Sequence, residues 1–139
     1  MSTSWEHFPH EADMGIRGMG PSKEAAFEGA AIAMTAVITN PTGVIPKHPV
    51  TIQGEAPDDE LLLVDWLNAL IFEMATRKML FSRFEVYIDD HTFRAIAWGE
   101  PVEIEKHRPA VEVKGATYTN LSVRQDVNGS WIAQCVVDV

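Results

Sequence analysis

The sequence predicts an α+β fold: a single domain spanning residues 1–139, in which a mostly antiparallel β-sheet packs against two main α-helices. Two observations predict this class. Apolar residues recur at helical spacing in two stretches between positions 23 and 78, whereas the later sequence reads as short strands separated by turn residues. A chain of 139 residues is also long enough to bury one hydrophobic core without stabilising disulfides or structural metals.

The first half predicts strand, helix, strand and helix. A short strand over 14–20 is closed by glycines, and Pro21-Ser22 precedes a helix that begins at Lys23. Asn40-Pro41-Thr42-Gly43 ends that helix, and a strand over 50–54 follows. The second helix runs from 61 to about 78, because the preceding segment 57–60 places acidic residues where the helix dipole favours them.

The second helix is apolar nearly all round, which predicts that most of it is buried. Asp65 and Asn68 are the exceptions, one turn apart on a shared face. An unpaired buried carboxylate is very costly. Two interpretations therefore stay open: a solvent-facing edge of the helix, or a polar groove that contacts a partner.

The second half predicts antiparallel strands. Strands over 84–88 and 92–98 flank Asp89-Asp90-His91, and a further strand covers 112–118. Residues 121–125 pair with the last strand, 131–139, across Asn128-Gly129, a strong hairpin signal. Cys135 shares a face of that last strand with apolar residues, which predicts a buried structural cysteine.

Composition limits the function classes. The net charge of −9 disfavours stable direct binding to nucleic acid, which depends on Lys and Arg that neutralise phosphates. One cysteine allows no internal disulfide, and the chain shows neither a signal peptide nor an apolar stretch of about 20 residues that would span a membrane. We therefore expect a cytoplasmic protein that does not associate with membranes.

The carboxyl-terminal residues suggest a cation site. The α-carboxylate of Val139 adjoins the side chain of Asp138, and two such groups at an ordered end repel each other unless a cation, a donor or a proton intervenes. Asp13, just before Met14-Gly15 at the start of a strand, would complete a set of oxygen ligands of the kind that Ca²⁺ and Mg²⁺ prefer. Sequence spacing alone does not show whether Asp13 lies near Asp138 and Val139, because the two ends are far apart in sequence.

Other chemistries are weakly supported. His7 and His10 do not make a convincing zinc motif, because Pro9 interrupts helical spacing and no cysteine is near. We expect His10 in a surface loop and His7 in a strand, where it would bond acidic neighbours or orient a carboxylate ligand. No nucleophile-elbow motif and no lysine-bearing glycine loop occurs, so no catalytic residue is predicted.

Several segments together resemble the archease family. Residues 5–17 resemble its opening signature, roughly EHTADVGIR, and 62–71 resemble its central helix. Matches continue in order and spacing through four further segments: 81–84, 99–101, 113–118 and 137–139. Two departures are present, since Phe8-Pro9-His10 lengthens the signature and Thr119 stands where many relatives have His.

The resemblance implies a function and a site. Archeases are small cytoplasmic proteins that assist RtcB-type RNA ligases in tRNA splicing and RNA repair, by promoting ligase guanylylation and repeated turnover. It implies a monomeric, non-catalytic activator with a divalent metal, calcium or else Mg²⁺ or Mn²⁺, bound by Asp13, Asp138 and Val139. His7 and Asp65 would be supporting or partner-contact residues. The alternatives are a chaperone-like binding module for RNA-processing proteins and a metal-dependent phosphohydrolase.

Overall fold

The structure is a computed structural model that describes residues 3–139, and it confirms the α+β class. Those residues form eight strands and three helices. The strands are β1 (Ser4–His10), β2 (Asp13–Gly20), β3 (His48–Glu55), β4 (Met79–Asp89), β5 (Thr92–Pro101), β6 (Gly115–Ala116), β7 (Ser122–Gln125) and β8 (Trp131–Asp138). The helices are α1 (Lys23–Ile38), α2 (Asp59–Arg77) and the single turn α3 (Ile104–His107). Within the described range, no helix combines the length and the hydropathy needed to cross a membrane.

The strands form two sheets, and every pairing is antiparallel. The first sheet has the order β1-β2-β8-β6, with β7 also paired to β8, and the second has the order β3-β5-β4. The first sheet therefore joins the amino-terminal hairpin directly to the last strand of the chain. This pairing brings the end of β8 beside the start of β2 and the turn between β1 and β2, whereas Ser4 at the start of β1 lies at the opposite end of these strands.

Both long helices begin at side-chain caps. Ser22 accepts a hydrogen bond from the Ala25 amide at 3.1 Å, and Asp58 accepts one from the Leu61 amide at 2.8 Å. These caps satisfy amide groups that have no partner inside the first helical turn. The predicted start of α1 is confirmed, while α2 begins two residues earlier than predicted because its cap is Asp58.

Trp66 of α2 lies at the centre of the core and is fully buried. Its indole N–H donates to the Phe27 carbonyl of α1 at 3.0 Å, so the ring is buried with its one polar group satisfied. Phe84 and Phe93 meet it edge-on, with ring centroids 6.0 and 5.6 Å away. One residue thus fixes α2 against both α1 and the second sheet.

Helix α1 packs directly onto the backbone of β2 at Gly18. A Cβ atom there would overlap the Ala26 carbonyl oxygen and the Ala30 nitrogen, both backbone atoms that cannot move aside cheaply. We expect Gly18→Ala to lower the free energy of unfolding by about 3 kcal/mol, measured by urea denaturation. Gly43→Ala is the matched control, because a Cβ at Gly43 has no atom within 4 Å. Equal losses in the two variants would contradict this packing.

One prediction about these elements is wrong. The strand predicted over 112–118 is reduced to the two residues of β6. The chain before it instead crosses the ends of the helices, where the Ala110 amide donates to the Ile38 carbonyl at 2.8 Å and Val113 is buried. Most of helix α2 is buried or partly buried, as predicted, although its exposed face carries Phe72 with 62% of its surface accessible.

Candidate metal centre

Asp13 and Asp138 lie on neighbouring strands at the same edge of the first sheet. Asp13 is the first residue of β2 and Asp138 is the last residue of β8. The register pairs Met14 with Val137, so one further step places Asp13 opposite Asp138. Directly opposed residues of antiparallel strands project from the same face with Cβ atoms roughly 5 Å apart. The structure thus brings together two of the three residues in the predicted cation site.

Nothing neutralises these two carboxylates among residues 3–139. No Lys, Arg or His nitrogen of that range forms a salt bridge with Asp13, Asp138 or the Val139 carboxylate. Asp13 is half-buried and Asp138 is exposed, while Val139 packs partly against the core. Neighbouring unpaired carboxylates favour a bound cation, and their oxygen chemistry is suited to a hard divalent ion.

The carboxylates do not by themselves form a complete ligand cage. Within the described part of the chain, no three His, Cys, Asp or Glu side chains converge closely enough to hold a metal. A cation at this edge would need further oxygen donors from the backbone, the terminal carboxylate or water. The residues present therefore fit an open site for a hard cation, in which some coordination positions stay free.

The backbone on the far side of Asp138 is held by β6. The Asp138 carbonyl accepts a hydrogen bond from the Lys114 amide at 2.7 Å, and Gly115 pairs with Asp138. The outer edge of β6 is held in turn by Asn68 of α2, whose Oδ1 accepts from the Ala116 amide at 2.9 Å. The Asp138 end of β8 is therefore enclosed between β2 and a short strand attached to α2.

His7 and His10 occupy opposite faces of β1. His10 is the last residue of this strand, paired with Asp13, so its predicted position in a surface loop is wrong. Its Nδ1 is buried and has no hydrogen-bond partner among residues 3–139. His7 Nε2 lies 2.7 Å from the Ala33 carbonyl, so this ring nitrogen bonds the backbone of α1 and not a carboxylate.

The segment Phe8-Pro9-His10 forms the end of β1. Pro9 is tolerated because β1 is an edge strand. Phe8 lies over Gly15 so closely that a Cβ atom there would overlap its ring, and the Arg17 guanidinium sits 4.7 Å from the ring centroid. The Phe8 ring therefore packs this end of β1 onto β2.

Asp65 and Asn68 are both exposed on α2. Asn68 binds β6, as described above, and Asp65 forms no salt bridge within residues 3–139. Of the two interpretations, the solvent-facing edge of the helix is confirmed. A contact between Asp65 and a partner stays a prediction.

Cys135 is fully buried in β8 between the sheet and the helices. Burial raises the pKa of its thiol to about 12, so the thiolate is not formed near neutral pH. The prediction of a structural cysteine is confirmed.

A second polar cluster surrounds Glu100 at the end of β5. Glu100 is 3% exposed and accepts from the Ile45 amide at 2.9 Å, from Lys106 Nζ at 2.9 Å and from His107 Nε2 at 2.9 Å. His107 Nδ1 accepts from the Glu103 amide, which places the ring proton on Nε2. The Ile45 amide first, and then Lys106, lower the pKa of Glu100 to about 2. Every polar group here has a partner, which is typical of a buried hydrogen-bond network that stabilises the fold.

Comparisons with known proteins agree across the whole chain. The family model described as the Archease protein family matches residues 5–139. Protein archease of Pyrococcus abyssi is 40% identical over 97% of this chain and 98% of its own length. Protein archease of Sulfolobus acidocaldarius is 37% identical over 99% of both chains.

A solved structure is also similar. The solution structure of Methanobacterium thermoautotrophicum protein 1598 superposes with a TM-score of 0.84 at 33% identity, covering 98% of this chain and 99% of the other. The opening hairpin, the central helix and the last strand that build the carboxylate edge all lie inside the matched region. The chain therefore belongs to the archease family.

Proposed function

We propose that this protein is a non-catalytic activator of an RtcB-type RNA ligase and that it acts through a divalent cation held at the Asp13–Asp138 edge. The register that sets these two carboxylates opposite each other supports the cation edge, and membership of the archease family supports the ligase as partner. The proposed ligands are the two side chains and the carboxylate of Val139. All of these donors are oxygens, which suits Ca²⁺, Mg²⁺ and Mn²⁺ alike, and the resemblance to the archease family favours Ca²⁺ among them.

The edge is suited to meeting a phosphate-handling partner. A divalent cation with open positions orients phosphate oxygens by charge and geometry. The role of this chain is to hold that charge on the exposed end of two rigid strands, where another protein has access to it. A net charge of −9 disfavours direct binding to RNA and favours docking onto a basic protein, so the ligase would supply the RNA contacts.

A non-catalytic role agrees with the ionisable groups of the described residues. The thiol of Cys135 is buried with a raised pKa, and the Glu100–His107 pair is enclosed with its hydrogen bonds complete. Neither group is free to act as a nucleophile or as a general acid or base. We therefore assign the chemical step to the ligase. A cytoplasmic location and a monomeric state are what the resemblance to the archease family implies.

The test is a multiple-turnover ligation assay with the cognate ligase, GTP and a large excess of RNA ends. We expect this protein to convert a reaction that stalls after about one turnover into sustained ligation, with faster guanylylation of the ligase measured separately. The same assay after treatment with a chelator, and after Ca²⁺ is restored, tests the cation. No stimulation in any arm would contradict the proposal.

Two further outcomes identify the alternatives. Full stimulation in chelator would assign a chaperone-like binding role without a functional metal. Metal-stimulated nucleotide hydrolysis by this protein alone would indicate a phosphohydrolase. Parallel measurement of free phosphate in reactions without ligase separates hydrolysis by this protein from ligase activation.

A further inference from the structure

Strand β6 is too short to hold its own position in the sheet. It contains only Gly115 and Ala116, and it pairs along one side with the end of β8. The residues that flank β6 add two backbone hydrogen bonds to that pairing: the Lys114 amide donates to the Asp138 carbonyl at 2.7 Å, and the Thr117 amide donates to the Val136 carbonyl at 3.0 Å. A two-residue edge strand depends on contacts outside its own ladder for its order.

Asn68 supplies a contact on the opposite side of β6. Its Oδ1 accepts the Ala116 amide proton at 2.9 Å, from a position fixed by the rigid helix α2. The same oxygen is the nearest atom to a Cβ built on Gly115, at 3.8 Å, so the side chain lies over the whole strand. Without it, the Ala116 amide loses its protein acceptor and β6 loses its hydrogen bond to the helix.

We propose that Asn68 is a positioning residue for the cation edge: through β6 it fixes the backbone of Asp138 beside Asp13. This inference rests on the proposed function, because it assumes that the edge binds a cation. Residues that act through a ligand's hydrogen bonds typically change metal affinity by 10–100-fold when removed. Within residues 3–139, Asn68 forms no hydrogen bond with either carboxylate. Its effect on cation binding would therefore be transmitted entirely through the backbone of β6.

The test compares three variants by Ca²⁺ titration calorimetry and by amide hydrogen exchange in the metal-free protein. We expect Asn68→Ala to weaken Ca²⁺ binding about 10-fold and to speed exchange at the Ala116 and Lys114 amides. Asn68→Asp keeps an acceptor oxygen and should restore slow exchange. Its added charge would itself attract the cation, so rescue is judged by exchange alone. Thr76→Ala removes another exposed hydrogen bond of α2, with no contact to β6, and should change neither measurement.

The outcomes separate this inference from the proposed function. Wild-type protein that binds no Ca²⁺ would overturn both. Wild-type binding with unchanged affinity in Asn68→Ala would overturn this inference alone, whatever happens to exchange. Weakened affinity with unchanged exchange at Lys114 would also overturn it, because the effect would not have travelled through β6.

Discussion

Asp13→Asn and Asp138→Asn are each expected to abolish stimulation of the cognate ligase while leaving the fold intact. Each change keeps the size of the side chain and removes one negative charge from a pair that faces each other across β2 and β8. The metal-free variants should be as stable as wild type or slightly more so, because like charges at this edge no longer repel. Loss of ligase stimulation without loss of stability is the result expected when a metal ligand is removed.

Ca²⁺-dependent stability gives a second readout of the same two variants. A ligand that binds only the folded state at about 100 times its Kd stabilises it by about 2.7 kcal/mol. Wild-type protein should show this gain in urea denaturation, and both variants should lose it. Asp90→Asn is the matched control, since Asp90 is an exposed residue of the β4–β5 turn with φ 58°, a conformation that Asn tolerates. Full ligase stimulation by either edge variant would contradict the proposed site.

Glu100→Ala is expected to cost about 3–5 kcal/mol, the largest stability loss among the changes considered. The substitution leaves the Ile45 amide and His107 Nε2 without their acceptor in a region closed to solvent. It also releases Lys106. Glu73→Ala is the control: it removes the partner of Arg77 on the exposed side of α2 and should cost only about 0.5 kcal/mol. Urea denaturation at pH 7 measures the free energy of unfolding of both variants. Similar losses in the two would show that the Glu100 cluster does not stabilise the fold more than an exposed ion pair does.

The same carboxylate predicts a pH dependence. Glu100 has a folded-state pKa of about 2 against an ordinary value of 4.5, so the unfolded chain binds the proton more tightly. The contribution of the ionised Glu100 to the free energy of unfolding is therefore fully present above pH 4.5 and is lost as the pH falls towards 2. The stability difference between wild type and Glu100→Ala should narrow across that window. A difference that stays constant between pH 7 and pH 2 would show that the ionised carboxylate is not what stabilises the cluster.

Local patterns predicted most of the secondary structure. The start of α1 follows from Pro21-Ser22, and the β7–β8 hairpin follows from Asn128-Gly129, because capping and turn geometry depend on a few adjacent residues. The prediction for 112–118 failed for a non-local reason. That segment is held by the end of α1 and by Asn68, neither of which its own sequence specifies.

The candidate site was predictable only in part. The pairing of Asp138 with Val139 as neighbouring carboxylates is visible in sequence, but their meeting with Asp13 depends on the β2–β8 register, which joins residues about 120 positions apart. Asn68 is visible in sequence as a polar residue in an apolar helix, yet its bond to Ala116 has no sequence signal. The hydrogen-bond network around Glu100 also has no sequence signal, because Ile45, Lys106 and His107 contact it from separate segments.

The β2–β8 pairing has a consequence for when the protein becomes functional. Strand β2 lies between β1 and β8, so during synthesis one of its edges has no partner until nearly all of the chain has been made. Long-range pairings of this kind raise the contact order and slow folding, and an open inner strand is exposed to aggregation meanwhile. The carboxylate edge is assembled by this late pairing. Affinity for Ca²⁺ would accordingly serve as a measure of completed folding, and nascent or truncated chains would be unable to act on the ligase.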